Sequence, residues 1–292
     1  MMMSEDLLAA QQQIHDQIAD GMPLETIVTT VCALGEQLLQ DAVVSVMLHD
    51  PTKDMLRLVQ SGRFSREFWE AAQQIPVGPQ VATCGVAAYN KDLVITTDIR
   101  VSSDWGPYAE LAEREGFRSC WSTPVLGRED TLLGTFAVYY REPREPSTRE
   151  LKLVHGLNRL LAVAIRLNQE QNESRLLQRG IDASPTGILL VDAGQADMPV
   201  VYVNRGFERL TGYSRDEVLG RNCRFLQGAD TSPEARVQLR RALQQQEEAC
   251  VLLRNYRRDG SAFWNELTVG PVFDDAGVCT HFLAFSTISV AR

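Results

Sequence analysis

Long apolar stretches are missing from this sequence. Hydrophobic residues make up 44% of its 292 positions, enough to build cores and too many for general disorder. Runs such as 187–191 (Gly-Ile-Leu-Leu-Val) nevertheless fall far short of the roughly 20 residues a membrane helix needs. An excess of basic charge is missing too. Lys and Arg number 29 against 38 Asp and Glu, a formal charge of −9, which argues against nucleic acid or an anionic membrane as the main partner. The cysteines at 32, 84, 120, 223, 250 and 279 include no CxxC pair, so neither a disulfide framework nor a zinc or other metal site is expected. Met1-Met2-Met3-Ser4-Glu5-Asp6 places acid where a secretion signal carries positive charge. These features lead to the expectation of a cytoplasmic protein with reduced thiols. No GxGxxG fingerprint and no kinase, cyclase, phosphodiesterase or helix-turn-helix motif is visible, and catalysis is not expected.

What is present suggests two domains, at roughly 150 residues each. In 4–40, Leu7, Ile14 and Ile18, then Leu24, Ile27, Val31, Leu34 and Leu38 recur at helical spacings, broken by Asp20-Gly21-Met22-Pro23. Strand-like runs at 42–49 and 55–60 flank the turn Asp50-Pro51-Thr52-Lys53-Asp54. Short helices at 66–74, 84–90 and 107–115, and strands at 93–96, 118–127 and 131–140, complete the first domain. Ser147-Thr148-Arg149-Glu150 is a capping-box start to a long helix. Leu153, Leu157, Leu160, Ala164 and Leu167 form its apolar stripe, readable as a coiled-coil seam or as a face packed on its own domain. The first reading implies a homodimer through this helix and the 4–18 segment. The second domain opens with strands at 187–192 and 199–203. Helices at 205–211 and 232–246 and strands at 249–257, 262–273 and 279–288 follow. The expected fold class is α+β: two domains, each a central antiparallel sheet with flanking helices, joined by a long helix. The expected boundaries are an N-terminal helix at 1–20, a first domain at 21–150, a connecting helix at 151–178 and a second domain at 179–292.

Gly220-Arg221-Asn222-Cys223-Arg224-Phe225-Leu226-Gln227-Gly228 is the most specific segment. If 222–227 is helical, Cys223 and Gln227 share a face while Arg224 is turned by roughly 100°. Arg224 and Arg240 suit a phosphate, held by charge-assisted forked bonds. With a three-residue loop at 259–261, Asn255 would stand directly opposite Asn265, side by side on one face. The nine-residue segment resembles the flavin-binding motif of LOV domains, the blue-light branch of the PAS family. Asn204-Arg205-Gly206-Phe207, Leu210-Thr211-Gly212-Tyr213-Ser214 and Phe263-Trp264-Asn265 extend the resemblance over about 180–289. It implies that Asn222, Arg224, Gln227, Arg240, Asn255 and Asn265 bind flavin mononucleotide (FMN). It also implies that Cys223 bonds reversibly to flavin carbon C4a after blue light. Ser286 departs from the pattern: the family carries Gln there, whose amide is thought to flip when flavin N5 gains a proton, and a hydroxyl cannot exchange donor for acceptor in that way.

Residues 21–168 resemble a GAF domain through Ala82-Thr83-Cys84-Gly85-Val86-Ala87-Ala88, Val94-Ile95-Thr96-Thr97-Asp98-Ile99 and Arg118-Ser119-Cys120-Trp121-Ser122-Thr123-Pro124-Val125. Trp105 to Leu111 and Gly134-Thr135-Phe136-Ala137-Val138-Tyr139 complete it. GAF domains bind small molecules or dimerise, and the sequence names no ligand here. Cys84 reads as a small core residue, the alternatives being a bilin anchor or a redox sensor. The resemblances imply a blue-light photoreceptor that passes its signal through the connecting helix or to a separate output protein. The competing readings are a non-photochemical GAF/PAS adaptor and a flavin redox sensor or enzyme.

Overall fold

In the computed structural model, which describes residues 2–60 and 64–289, the chain divides into two compact units at Asn172/Glu173. The first contains α1 (Met2–Ala19), α2 (Leu24–Leu38), β1 (Val43–Asp50), β2 (Met55–Gln60), α3 (Arg66–Ala71), β3 (Ile75–Pro76), α4 (Ala82–Asn90), β4 (Val94–Thr96), α5 (Ala109–Arg114), β5 (Ser119–Leu126) and β6 (Leu132–Tyr140). A long helix, α6 (Thr148–Ala183), leads into β7 (Gly187–Asp192), β8 (Val200–Val203), α7 (Arg205–Thr211), α8 (Arg215–Val218), α9 (Pro233–Gln245), β9 (Ala249–Tyr256), β10 (Ala262–Phe273) and β11 (Cys279–Ile288).

The first sheet runs β3-β2-β1-β6-β5-β4, antiparallel at every pairing. Period-two alternation sends Val44, Val46, Phe136 and Val138 to one face, where Ile14, Ile27, Val31, Leu157 and Leu161 cover them. Val43, Met47, Ala137 and Tyr139 face the other way, toward Phe68, Cys84, Trp105 and Ala112. Both faces are covered, which explains why β1 and β6 read as nearly continuous apolar runs.

The N-terminal cap of α6 is a reciprocal pair. Glu150 N donates to Ser147 Oγ at 3.3 Å, and Ser147 N donates to Glu150 Oε2 at 2.8 Å. Arg144 Nη2 reaches the same carboxylate at 2.8 and 3.0 Å, which with the Ser147 bonds helps hold it below its ordinary pKa against the burial that pushes it up.

The apolar stripe of α6 is not an open seam. Leu153, Leu157, Leu160 and Ala164 are buried in the first unit's own core, with Leu157 fully inaccessible, and Ile14 of α1 is equally inaccessible. The reading of these stripes as dimer seams is therefore corrected for those residues, while the side chain of Leu7 lies outside the described residues. An i/i+3/i+4 stripe states that a face is apolar but not whether its partner is a second copy or the same chain's sheet. Leu160→Lys with Leu167→Lys is accordingly expected to unfold the first unit, at several kcal/mol for the unpaired charge buried at position 160, position 167 being only half-buried. It should not release folded monomers, and thermal unfolding with light scattering separates the two outcomes.

The second sheet runs β8-β7-β11-β10-β9. Its inner face carries Leu189, Val251, Leu253, Val269, Phe282 and Ala284, all buried. On the same face stand the buried polar residues Asn255, Asn265 and Ser286. Three polar side chains on an otherwise apolar sheet face mark the place where a site is built.

Candidate functional site

Between this face and the helices lies a cavity with about 700 Å³ of empty space, part of it open to solvent. Leu189, Leu253, Leu267 and Val269 form one apolar wall, and Leu239 and Leu243 of α9 face it. The polar atoms come from Asn222, Cys223, Arg224, Gln227, Asn255, Asn265 and Ser286. Short local rules place each of them.

Gly220, at φ +78, makes the left-handed turn that ends α8, a conformation glycine adopts without a Cβ penalty. Two bonds then clamp the segment to β8, Gly220 N to Val200 O at 2.9 Å and Val200 N to Arg221 O at 2.8 Å. Asn222 caps the next turn, its Oδ1 accepting from Arg224 N at 2.9 Å. Its Nδ2 donates to Asp197 O. The Asn222 amide lines the cavity but is spent on backbone.

Residues Cys223–Leu226 form a single 3₁₀ turn, and Gln227 is extended at φ −84, ψ 154. This corrects the expectation of an α-helix over 222–227 that would put Cys223 and Gln227 on one helical face. Both line the cavity for another reason: Gln227 leaves the turn to make an antiparallel bridge with Asn255. Gly228 follows because a Cβ there would run into the Tyr256 ring. Burial pushes the Cys223 thiol up to about 12, so the sulfur keeps its proton at neutral pH.

Asn255 and Asn265 are not directly opposite. Asn255 pairs with Phe263 and Asn265 with Leu253, because the β9–β10 loop turns at 258–260, closed by Arg257 N to Ser261 O at 2.8 Å. The displacement is two residues, which preserves the face, whereas one residue would have turned a side chain outward. The amides still meet on the diagonal. Asn265 Nδ2 donates to Asn255 Oδ1 at 2.8 Å and to Ser286 Oγ at 3.3 Å. Asn265 Oδ1, in a residue only 2% exposed, has no hydrogen-bond partner. A buried amide oxygen facing an apolar slot costs free energy until a donor meets it.

Arg224 Nη1 pairs with Asp197 Oδ1 at 2.7 Å, both side chains 65% exposed. Arg240 is exposed on α9 and does not belong to the cavity lining. The helix turns Leu239 and Leu243 inward and carries position 240 about 100° away. The expected phosphate pair is thus split: Arg224 is at the lining, Arg240 on the outer flank of the same wall. Sequence reasoning also missed Met198, which lines the cavity at φ +45, and Asp197. The Leu239/Leu243 spacing on an amphipathic helix was a usable signal; a lone Asp in a loop was none.

These residues fit the ring of a flavin. The slot is mostly apolar, its amide edge holds an oxygen in want of a donor, a protonated thiol borders it, and a guanidinium lies at the lining. Among the described residues no cluster of His, Cys, Asp or Glu is arranged to hold a metal, and no helix is long and apolar enough to cross a membrane.

Comparison with known proteins agrees with both units. Residues 21–166 match the family described as a GAF domain and 185–287 the family described as a PAS domain. The chain is 45% identical over 100 residues to a blue-light photoreceptor of Listeria monocytogenes, covering 34% of this chain and 40% of that protein. It is 42% identical over 115 residues to the bacterioopsin transcriptional activator of Halobacterium salinarum, covering 39% of this chain and 17% of that protein. The chain thus spans well under half the length of either relative. Among solved structures, the LOV domain of a blue-light activated histidine kinase from Erythrobacter litoralis is 45% identical, with a TM-score of 0.35, over 36% of this chain and 96% of that one.

Proposed function

From a chain that belongs to the GAF-domain family over 21–166 and carries a PAS domain of the LOV type over 185–287, we propose a blue-light receptor that binds FMN and uses Cys223 as its reactive residue. The single observation that carries this reading is the slot beside Cys223, with its unpartnered Asn265 oxygen and the neighbouring amides of Asn255 and Gln227. A bound flavin would supply blue-light absorption and an electron-accepting ring, and Cys223 would be the residue beside it whose thiol reacts. In the dark Cys223 holds its proton, because burial disfavours the thiolate. Asn255, Asn265 and Gln227 would hold the polar groups of the flavin, and the leucines of β9, β10 and α9 would exclude water from it. Arg224 at the lining and Arg240 on the flank of α9 would hold its phosphate.

We assign the receptor four parts: an N-terminal helix at 1–20, a GAF-like regulatory or dimerisation unit at 21–150, a connecting helix at 151–178 and the flavin unit at 179–292. Its place is the cytoplasm, its assembly a homodimer, and its output a partner protein or the GAF unit rather than catalysis by these residues. The first test is whether the purified full chain carries flavin and bleaches under blue light.

Ser286 bears on how the signal leaves. It is 2% exposed on β11, opposite Leu267 on one side and Gly187 on the other. Its hydroxyl accepts from Asn265, but it is too short to span the slot as an amide does. Wild type is expected to bleach while changing little in β11. Ser286→Gln would extend into the cavity that Ser286 lines, and it should move flavin absorption to slightly longer wavelength. Light-dependent amide exchange in β11 and α6 should rise in that variant. Large light-dependent exchange already present in wild type, and unchanged by the substitution, would mean the signal leaves by another strand.

A further inference from the structure

The first unit contains a buried polar cluster of its own, remote in sequence from the flavin unit. The rungs Val43–Tyr139–Cys120, Ser45–Ala137–Ser122 and Met47–Thr135–Pro124 lie side by side across β1, β6 and β5. They put Ser45, Ser122, Thr135, Cys120 and Tyr139 on one face. All but Tyr139 are completely inaccessible, and Tyr139 is 1% exposed. Ser45 Oγ, Ser122 Oγ and Thr135 Oγ1 have no hydrogen-bond partner. Three orphan hydroxyls in one apolar core are unusual, since nearly all buried polar groups are paired.

Over this face α4 places Cys84, 3% exposed, with Sγ 3.7 Å from Tyr139 Oη. The Cys120 thiol and the hydroxyls of Ser122 and Thr135 share the sheet face of Tyr139 beneath it. The neutral thiol leaves the serine and threonine donors unsatisfied; negative charge on the sulfur would use them. The donors accordingly bring the Cys84 thiol down to about 7 in spite of burial. Burial and the charge on Cys84 push Cys120 and Tyr139 well up, so Cys120 keeps its proton. Cys32 shows what burial does without such donors: in the same unit, it is pushed up to about 12.

Cys84 also borders a small apolar cavity walled by Met47, Phe68, Ile75, Trp105 and Tyr108. It is much smaller than the cavity of the flavin unit, with room for about one water-sized molecule. A space of this size favours the smallest oxidants over bulky ones.

We propose that Cys84 is a peroxide-reactive thiol and Cys120 its resolving partner, giving the GAF unit an oxidant input separate from the light site. The Cys84 thiolate attacks one oxygen of hydrogen peroxide; the O–O bond breaks, and the leaving hydroxide takes a proton and departs as water. Cys84 is left as a sulfenic acid. The Cys120 thiol then attacks that sulfur, the S–O bond breaks, its proton leaves with the second water, and a Cys84–Cys120 disulfide remains. Two thiols are oxidised by two electrons and one peroxide is reduced to two waters. A dithiol reductant reverses the change.

The test uses the full chain in the dark, treated with hydrogen peroxide, then unfolded, alkylated and mapped by peptide mass spectrometry. Cys84 and Cys120 should appear as one disulfide-linked pair, and Cys84 should be consumed at least about tenfold faster than Cys32, since thiolate fraction outweighs the accompanying loss of nucleophilicity. In Cys120→Ala the reaction should stop at Cys84 sulfenic acid, trapped by a dimedone-type reagent present as the protein is unfolded. Ser122→Ala with Thr135→Val should slow consumption of Cys84 while leaving that of Cys32 unchanged. Oxidation of Cys84 no faster than of Cys32, or pairing of Cys84 with any cysteine other than Cys120, overturns the proposal.

Discussion

Cys223→Ala is expected to purify with its flavin, remain yellow under blue light and fluoresce strongly. The substitution removes one sulfur from the edge of the slot and leaves the contacts that hold the ligand in place. Asn255 and Asn265 are anchored to each other at 2.8 Å. Gln227 is fixed by its bridge to Asn255, and the turn carrying position 223 is capped by Asn222 rather than by the cysteine. The lost methyl-sized volume borders an existing cavity, so the stability cost belongs at the low end for a large-to-small change. What disappears is the only thiol lining the slot. Light-dependent bleaching should therefore fall to nothing, and absorbed light should return as emission. Normal bleaching and dark recovery in the alanine variant would remove Cys223 from the reaction.

The second large effect is expected from Arg224→Ala combined with Arg240→Ala. The structure qualifies what each arginine contributes. Arg224 is held by Asp197 at 2.7 Å, but both groups are 65% exposed, and an exposed pair of this kind is worth about 0–1 kcal/mol. A phosphate can displace that carboxylate at small cost and gain a charge-assisted forked contact in return. Each such contact contributes about 1.5–3 kcal/mol, so the double variant should bind FMN at least tenfold more weakly, by about 1.4 kcal/mol per factor of ten. Riboflavin, which has no phosphate, should bind with unchanged affinity. Titration of flavin-stripped protein with the two ligands reads the difference directly. Equal losses for both flavins would show that the arginines support the fold of the segment and not the phosphate. A normal affinity for FMN would assign the phosphate to other groups.

Much of this architecture was legible because it rests on periodicity and on one dense motif. Alternation placed β10 and β11, the helical stripe placed α6 with its Ser147/Glu150 cap, and the nine residues at 220–228 pointed to the slot. The departures share a physical form. Asn255 and Asn265 ended on the right face in the wrong register, since loop length shifts pairing by two residues without changing the side on which a residue stands. The motif's turn proved to be 3₁₀, because Asn222 caps it and Gln227 is drawn into a bridge with β9. The stripe on α6 found its partner within its own unit. Asp197 and the Cys84 cluster were beyond reach. Cys84, Ser45, Ser122 and Thr135 stand on four elements, and only the strand order brings them together.

The central claim is that Cys223 and the slot beside it make this chain a light receptor. The most direct measurement is the absorption spectrum of the purified full-length chain in the dark, immediately after blue light, and again after darkness. The account predicts a flavin spectrum in the dark, loss of the blue band on illumination without loss of protein-bound flavin, and full return in darkness. A protein that binds no flavin, or one whose bound flavin spectrum is the same before and after illumination, contradicts it.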